Sequence, residues 1–209
     1  MTSTGWAALA ARISACRSCP ELVASRQHVV VGDPQPAPAR LVFVGEAPGA
    51  QEDAAGRPFV GKAGQLLDQL LTDAGLSRAE VGVLNVVKCR PPGNRTPTAA
   101  EVTRCRPYLE SQLDLLAPRL VVALGLTAVC WFLGRGTRLA AARGRVHHVG
   151  GRRVLATYHP SAAIRFGPNG APLAALRDDL ALAARLVNGG DDAWDETCQD
   201  GERGPRSSG

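Results

Sequence analysis

Four cysteines carry the first chemistry to be read from this chain. Cys16 and Cys19 form a C-x2-C pair, Cys89 follows a short apolar run, and 15 residues separate it from Cys105. Two close thiolates and two distant ones can complete a single tetrahedral four-sulfur site. Such a site suits zinc or a [4Fe–4S] cluster, and ligand chemistry alone does not choose between them. Taken alone, Cys89 and Cys105 would read as small buried hydrophobes. Cys130, beside Trp131 in an apolar stretch, reads as core, and Cys198 as a free thiol near the C-terminus. A second set of reactive types stands in loops: Glu46 in Gly45-Glu46-Ala47-Pro48-Gly49, Asn85 before Val86-Val87-Lys88-Cys89, and His159 in Tyr158-His159-Pro160-Ser161. A carboxylate can orient water or stabilise a cation. An Asn amide donates and accepts at once, and a neutral imidazole can donate to developing negative charge. Singly, each also reads as an ordinary loop or structural residue.

These residues need elements to hold them. Residues 41–44 (Leu-Val-Phe-Val) and 120–124 are short apolar runs bounded by turn signals, as expected of buried parallel strands, and 81–87 reads as another. Residues 145–149 and 153–157 flank Gly150-Gly151, a hairpin signal. Helical patterns cover residues 4–15, 65–74, 98–117, 127–133 and 173–187. The helix over 98–117 starts with a capping box, Thr98 and Glu101, and carries Pro107, which should bend or split it. Strands alternating with helices favour a parallel sheet covered on both faces, with chemistry in the loops beyond the carboxyl ends of the strands. The loops holding Glu46, Asn85 and His159 should therefore converge on one sheet edge.

Composition narrows the classes. The 209 residues suit one α/β domain over residues 1–187, and 45% hydrophobic residues supply a sizeable core. No run of about 18 apolar residues suggests a membrane span, and the N-terminal segment lacks a secretory pattern, so a cytoplasmic monomer without membrane contact is expected. Net charge is +5; residues 188–209 hold six acids and two arginines, net −4, so residues 1–187 carry +9. The basic part allows a polyanionic partner, and the acidic, Gly-rich tail reads as disordered. Of the 24 cationic side chains 22 are Arg, a bias that suits phosphate but also follows from a GC-rich genome. Six cysteines without an export signal point to a metal site or inert thiols rather than disulfides.

Taken in order, the motifs resemble the uracil-DNA glycosylase superfamily, most of all its fourth family of iron–sulfur prokaryotic enzymes. The resemblance spans about residues 16–187. It rests on Gly45-Glu46-Ala47-Pro48-Gly49 with Glu52-Asp53, on Gly56-Arg57-Pro58-Phe59-Val60-Gly61, on Leu84-Asn85-Val86-Val87-Lys88-Cys89, on His159-Pro160-Ser161 and on the four cysteines. Each motif is weak alone; the ordered set is specific. It implies a three-layer αβα sandwich around a central four-stranded parallel sheet. It also implies that Cys16, Cys19, Cys89 and Cys105 hold a [4Fe–4S] cluster with a structural role, in an N-terminal cluster-binding segment.

The resemblance further implies a DNA-repair glycosylase that flips deoxyuridine from single- or double-stranded DNA and hydrolyses its N-glycosidic bond, leaving an abasic site. Asn85 would read uracil O4 and N3–H, a pattern that cytosine reverses. Phe59 would stack on the base, His159 would donate to O2, and Glu46, beside Ala47, would serve the water or the sugar cation. The superfamily's best-known members carry an Asp at the position of Ala47, and its fifth family lacks an acid at that of Glu46. The segment with Ser161, Ile164 and Arg165 should enter the minor groove, with Ile164 or Arg165 as the wedge. Arg57, Lys62, Lys88, Arg90 and Arg95 are candidate phosphate contacts. A related cross-linking branch uses a histidine in an inserted loop after the second strand; here residues 90–97 are short and no histidine falls between His28 and His147, which implies ordinary hydrolysis. The competing readings are a non-catalytic iron–sulfur nucleic-acid-binding module, a superfamily member acting on other deaminated bases, and a nucleotide-binding domain that GEAPG fits poorly.

Overall fold

Strands in this chain are apolar on both faces because both faces are covered. The computed structural model describes residues 2–34 and 38–189, the side chains of residues 2–4 aside. Strands β1 (Leu41–Gly45), β2 (Val81–Asn85) and β3 (Leu120–Leu124) are buried at every residue. Alternate side chains leave each strand on opposite faces. Val42, Val44, Val121 and Ala123 pack into one core, and Leu41, Phe43, Leu120 and Val122 into the other. Strands β4 (Val146–Val149) and β5 (Arg152–Thr157) complete one sheet, ordered β2-β1-β3-β5-β4.

The first core is covered by α2 (Pro20–Ser25), α5 (Ala99–Leu116), α6 (Leu126–Leu133) and α7 (Leu139–Ala142), and α1 (Thr2–Ser14) packs on α5. The second is covered by α4 (Lys62–Asp73), α8 (Pro160–Phe166) and α9 (Ala171–Asn188), and α3 (Ala50–Ala55) fills the loop after β1. The three-layer α/β architecture stands, but the sheet has five strands rather than four. β2, β1, β3 and β5 run parallel, and β4 adds an antiparallel edge. The hairpin at Gly150-Gly151 supplies that fifth strand: its register, Val146 opposite Leu155, brings the whole of β4 into the sheet.

Helix α5 is capped as its sequence predicts, with the Glu101 N–H donating to Thr98 Oγ1 at 3.3 Å and the Thr98 N–H to Glu101 Oε2 at 2.7 Å. It runs unbroken through Pro107. A proline there removes one backbone hydrogen bond, at about 3 kcal/mol. Burial of Leu109, Leu113 and Leu116 against the sheet holds the helix together. Strand β2 ends at Asn85 instead of Val87, yet the Val86 and Val87 amides still donate to the Gly45 and Glu46 carbonyls, at 2.9 and 3.0 Å. The connection after β1 runs to β2 on one side and the one after β3 runs to the β4–β5 hairpin on the other, so the loops after β1 and β3 separate. That divergence is where α/β sheets open a crevice. No helix among the described residues is long and apolar enough to cross a membrane. Residues 190–209, with Cys198, lie outside the described residues, as do residues 35–37.

Candidate active site and cysteine pocket

A cleft of about 470 Å³ opens at the carboxyl edge of the sheet. It brings together Glu46, Ala47, Phe59, Asn85 and His159, with Ser161 and Arg165 on the same wall. Glu52, Ala63, the turn at 48–49, the loop at 91–96 and Leu124–Leu126 complete the lining.

The floor depends on close approaches. Gly45, at the end of β1, lies beside Asn85 in register, and a Cβ there would stand 2.6 Å from Asn85 Oδ1 and 2.7 Å from the Phe59 ring. Any side chain at 45 would push the amide and the ring out of the cleft. Phe59 itself has φ 53°, a left-handed conformation that costs a bulky residue about 1–3 kcal/mol. Two contacts impose it. Gly64 packs so near that its Cβ would fall 1.8 Å from the Phe59 carbonyl. Glu52 clasps the next two residues, Oε1 accepting from the amides of Val60 (3.0 Å) and Gly61 (2.8 Å) while Oε2 accepts from Gly49 (3.1 Å). One carboxylate thus ties the loop after β1 to the loop carrying Phe59. The Phe59 ring, 6% exposed, faces the His159 ring at 5.5 Å and 37°.

Asn85 is 3% exposed, and its Oδ1 has no hydrogen-bond partner. A buried acceptor left unpaired costs about 1–3 kcal/mol, so this atom is set for a donor brought by a ligand. His159 is the N-cap of α8, and its Nδ1 accepts the Ser161 N–H at 3.1 Å and lies 2.8 Å from Ser161 Oγ. A nitrogen accepting from a backbone amide carries no proton, so the neutral ring holds its proton on Nε2, free to donate. Burial pushes the imidazole down to about 4, against the opposing pull of Glu52, so the neutral form prevails near pH 7. Glu46 Oε2 accepts from the Thr127 hydroxyl at the start of α6. Thr127 was not foreseen; its only signal is its place directly after the β3 turn.

The expected DNA contacts separate. Ile164 is 46% exposed and, with Lys62 and Ser161, lines a depression adjoining the cleft. Arg165 reaches the cleft itself. Arg57 lies outside both, well exposed and paired with Asp33 at 3.5 Å beside Arg78. Arg90 donates to Asn94 Oδ1 at 2.7 Å. Arg95 lines the cleft, but its guanidinium is held by Glu101 (2.8 Å) and Glu21 (3.1 Å). Lys88 is no phosphate contact: it is 1% exposed and lines the cysteine pocket.

That pocket gathers Cys16, Cys19, Cys89 and Cys105 from three remote segments. Among the described residues no three His, Cys, Asp or Glu side chains are set to share one metal ion. Four thiols from three segments lining one pocket form an all-sulfur donor set, as a four-thiolate metal or iron–sulfur site requires. Arg26, Lys88 and Arg104 line the pocket with no carboxylate, as the net negative charge of a four-thiolate cluster requires. Arg26 donates to Cys89 Sγ at 2.8 Å. Burial raises the Cys89 and Cys19 thiols and pushes Cys105 up to about 11. For Cys16 burial works the same way, but hydrogen bonds from Ser18 and Tyr108 outweigh it and the thiol falls below its usual range. Cys130 is only half-buried, its thiol facing the Thr137 carbonyl at 3.9 Å, rather than in the core.

Comparison with known proteins agrees with this geometry. A family model described as the uracil DNA glycosylase superfamily matches residues 31–181. The chain is 46% identical to a type-4 uracil-DNA glycosylase of Thermotoga maritima over 156 residues, 74% of this chain and 80% of that protein. It is 45% identical to a type-4 uracil-DNA glycosylase of Pyrobaculum aerophilum over 161 residues, covering 73% and 81%. A type-5 uracil-DNA glycosylase of Thermus thermophilus is 38% identical over 187 residues, covering 71% and 84%.

Proposed function

The chain belongs to the uracil-DNA glycosylase superfamily, with its type-4 branch, and we propose that it excises uracil from DNA by hydrolysing the N-glycosidic bond, leaving an abasic site. The observation that carries this reading is the unpaired, buried Oδ1 of Asn85 facing Phe59 in the cleft. A flipped uracil brings the missing donor, N3–H, while the Asn85 amide donates to O4. Cytosine offers an acceptor at N3 and a donor at C4, so it would leave the buried amide mismatched.

Breaking the C1′–N1 bond places negative charge on the base and positive charge on the sugar. His159 donates from Nε2 to uracil O2 as that charge develops and gives up no proton. Glu46, oriented by Thr127, stabilises the sugar cation and aligns the attacking water. Glu52 also lines the cleft, but its oxygens accept from three backbone amides, which leaves Glu46 for this task. Phe59 supports the base by stacking. Ile164 and Arg165 occupy the gap left in the helix, and Lys62 and Ser161 hold the backbone beside it. Cys16, Cys19, Cys89 and Cys105 hold a [4Fe–4S] cluster; when bound, it supplies a crosslink among three chain segments rather than chemistry on the sugar. Nothing in the short loop at 90–97 offers a nucleophilic histidine to the sugar.

The test is excision from an oligonucleotide carrying one deoxyuridine, with and without alkali, and with the protein run on a denaturing gel. Alkali-labile cleavage at the uracil without a shifted protein band is expected. Binding without cleavage would replace this reading by a non-catalytic nucleic-acid-binding module.

A further inference from the structure

The base-reading asparagine and the cysteine pocket are joined by one buried side chain. Asn85 ends β2, and Cys89 lies four residues on. Between them Lys88 turns inward, 1% exposed, and its Nζ donates to the Asn85 carbonyl at 2.5 Å. The same side chain lines the cavity of the four cysteines and is felt electrostatically by Cys105 and Cys89. No carboxylate lines that cavity, so the lysine's counter-charges there are the sulfurs. Only two lysines occur in a chain with 22 arginines. A compact ammonium fits where a planar guanidinium fork would not.

We propose that Lys88 is a positioning residue that couples the charge of the cysteine-bound cluster to the placement of the uracil-reading Asn85. The inference rests on the uracil-excision reading of the cleft. Its physics is a shared donor. The ammonium divides its attraction between the sulfurs and the Asn85 carbonyl. More negative charge on the cluster draws it toward the sulfurs and loosens the carbonyl; less charge does the reverse. Asn85 Oδ1 has no hydrogen-bond partner among the described residues, and the side chain springs from the backbone whose carbonyl Lys88 holds. Such coupling is reciprocal: if cluster charge alters uracil affinity, uracil must alter the cluster's redox equilibrium by the same factor.

The experiment uses the iron-loaded full chain. The midpoint potential of the cluster is measured with and without saturating free uracil, alongside inhibition of excision by uracil. In the wild-type protein uracil should shift the potential, each tenfold difference in uracil affinity between the two cluster charge states appearing as about 59 mV for one electron. Lys88→Met should keep its iron, lose the uracil-dependent shift and bind uracil about tenfold more weakly. A wild-type protein that excises uracil but shows no uracil-dependent shift overturns the coupling and leaves the excision reading intact. So does a Lys88→Met protein whose uracil affinity falls only in proportion to its iron. If Lys88→Met does not fold, Lys88→Gln takes its place, and a uracil-dependent shift as large as in the wild-type protein overturns the role of Lys88. Absence of excision by the wild-type protein removes the uracil reading, and this inference with it.

Discussion

The cleft and the cysteine pocket lie on either side of the same short segment, residues 85–89, and they are built in opposite ways. The cleft is set before any ligand arrives. Its floor is the end of a buried sheet, Glu52 clamps its loops through three backbone amides, and the N–H of Ser161 fixes the His159 tautomer. What stays unsatisfied there, among the described residues, is the buried acceptor Asn85 Oδ1, placed where a base would satisfy it, beside the free Nε2–H of His159. The cysteine pocket is the reverse. Its thiols come from an N-terminal segment, a loop and a helix, and three of the four are held above the usual thiol range by burial. Three cations face them without a carboxylate. One site is organised by the fold and waits for substrate; the other needs its ligand to deprotonate the thiols and balance the cations.

The largest effect should come from the atom that marks the difference. Asn85→Ala should lower kcat/KM on uracil-containing DNA about 10²–10³-fold, the cost of removing one preorganised polar group from a reacting centre. Iron content and binding to undamaged DNA should stay near normal. Full activity in this variant would end the account of base reading given above. Cys89→Ser attacks the other side. It should lose most of its iron and its soluble yield together, with excision falling as the folded fraction falls. A stable, active, iron-free Cys89→Ser protein would show that the pocket, like the cleft, stands without its ligand, and the contrast would collapse.

The two regions also differ in how well the sequence exposes them. β1 and β3 were readable because strands buried on both faces must be unbroken apolar runs. The loops with Glu46, Asn85 and His159 were readable because each follows such a run. The five-strand count was hidden by the family expectation of four, although Gly150-Gly151 already marked the hairpin that adds β4. What a linear reading could not supply were the partners. Glu52 looks like any helix-start acid until Val60 and Gly61 fold onto it. Lys88, one cation in a basic chain, looked like a phosphate contact, because burial is a tertiary fact and charge is a local one. Arg95 differs: it lines the cleft, and what its sequence position could not show is that its guanidinium is tied to Glu101 and Glu21.

An intermediate effect separates preorganisation from recognition. Glu52 touches neither base nor sugar in the proposed scheme; it holds the loops that do. Glu52→Gln keeps one acceptor oxygen but sets an amide NH2 against backbone N–H groups. With hydrogen bonds to a charged group worth about 1.5–3 kcal/mol, stability should drop by about that much. The kcat/KM should fall about tenfold as Phe59 relaxes from its left-handed conformation. Denaturation midpoints and steady-state kinetics on one preparation measure both. Unchanged kinetics with lowered stability would mean that Phe59 holds its place without the clasp.

The smallest expected effect is the near-flatness of a pH profile. A histidine in water titrates near 6.5, but burial pushes His159 down to about 4. The folded chain therefore binds fewer protons at this site than the unfolded chain between those two values. Stability rises with pH wherever the unfolded state binds more protons, so the contribution of His159 is fully present above about pH 6.5 and is lost progressively as pH falls toward 4. Catalysis should respond in the same window. Because the donor is the neutral ring's Nε2–H, kcat/KM should show no inflection near 6.5 on account of His159, and protonation should enter only as pH approaches 4. Titrating the histidine ring signals by NMR, beside the rate profile, checks this directly. A His159 signal that titrates near 6.5 would mean that water reaches the ring, and the cleft would then be no more set in advance than the cysteine pocket.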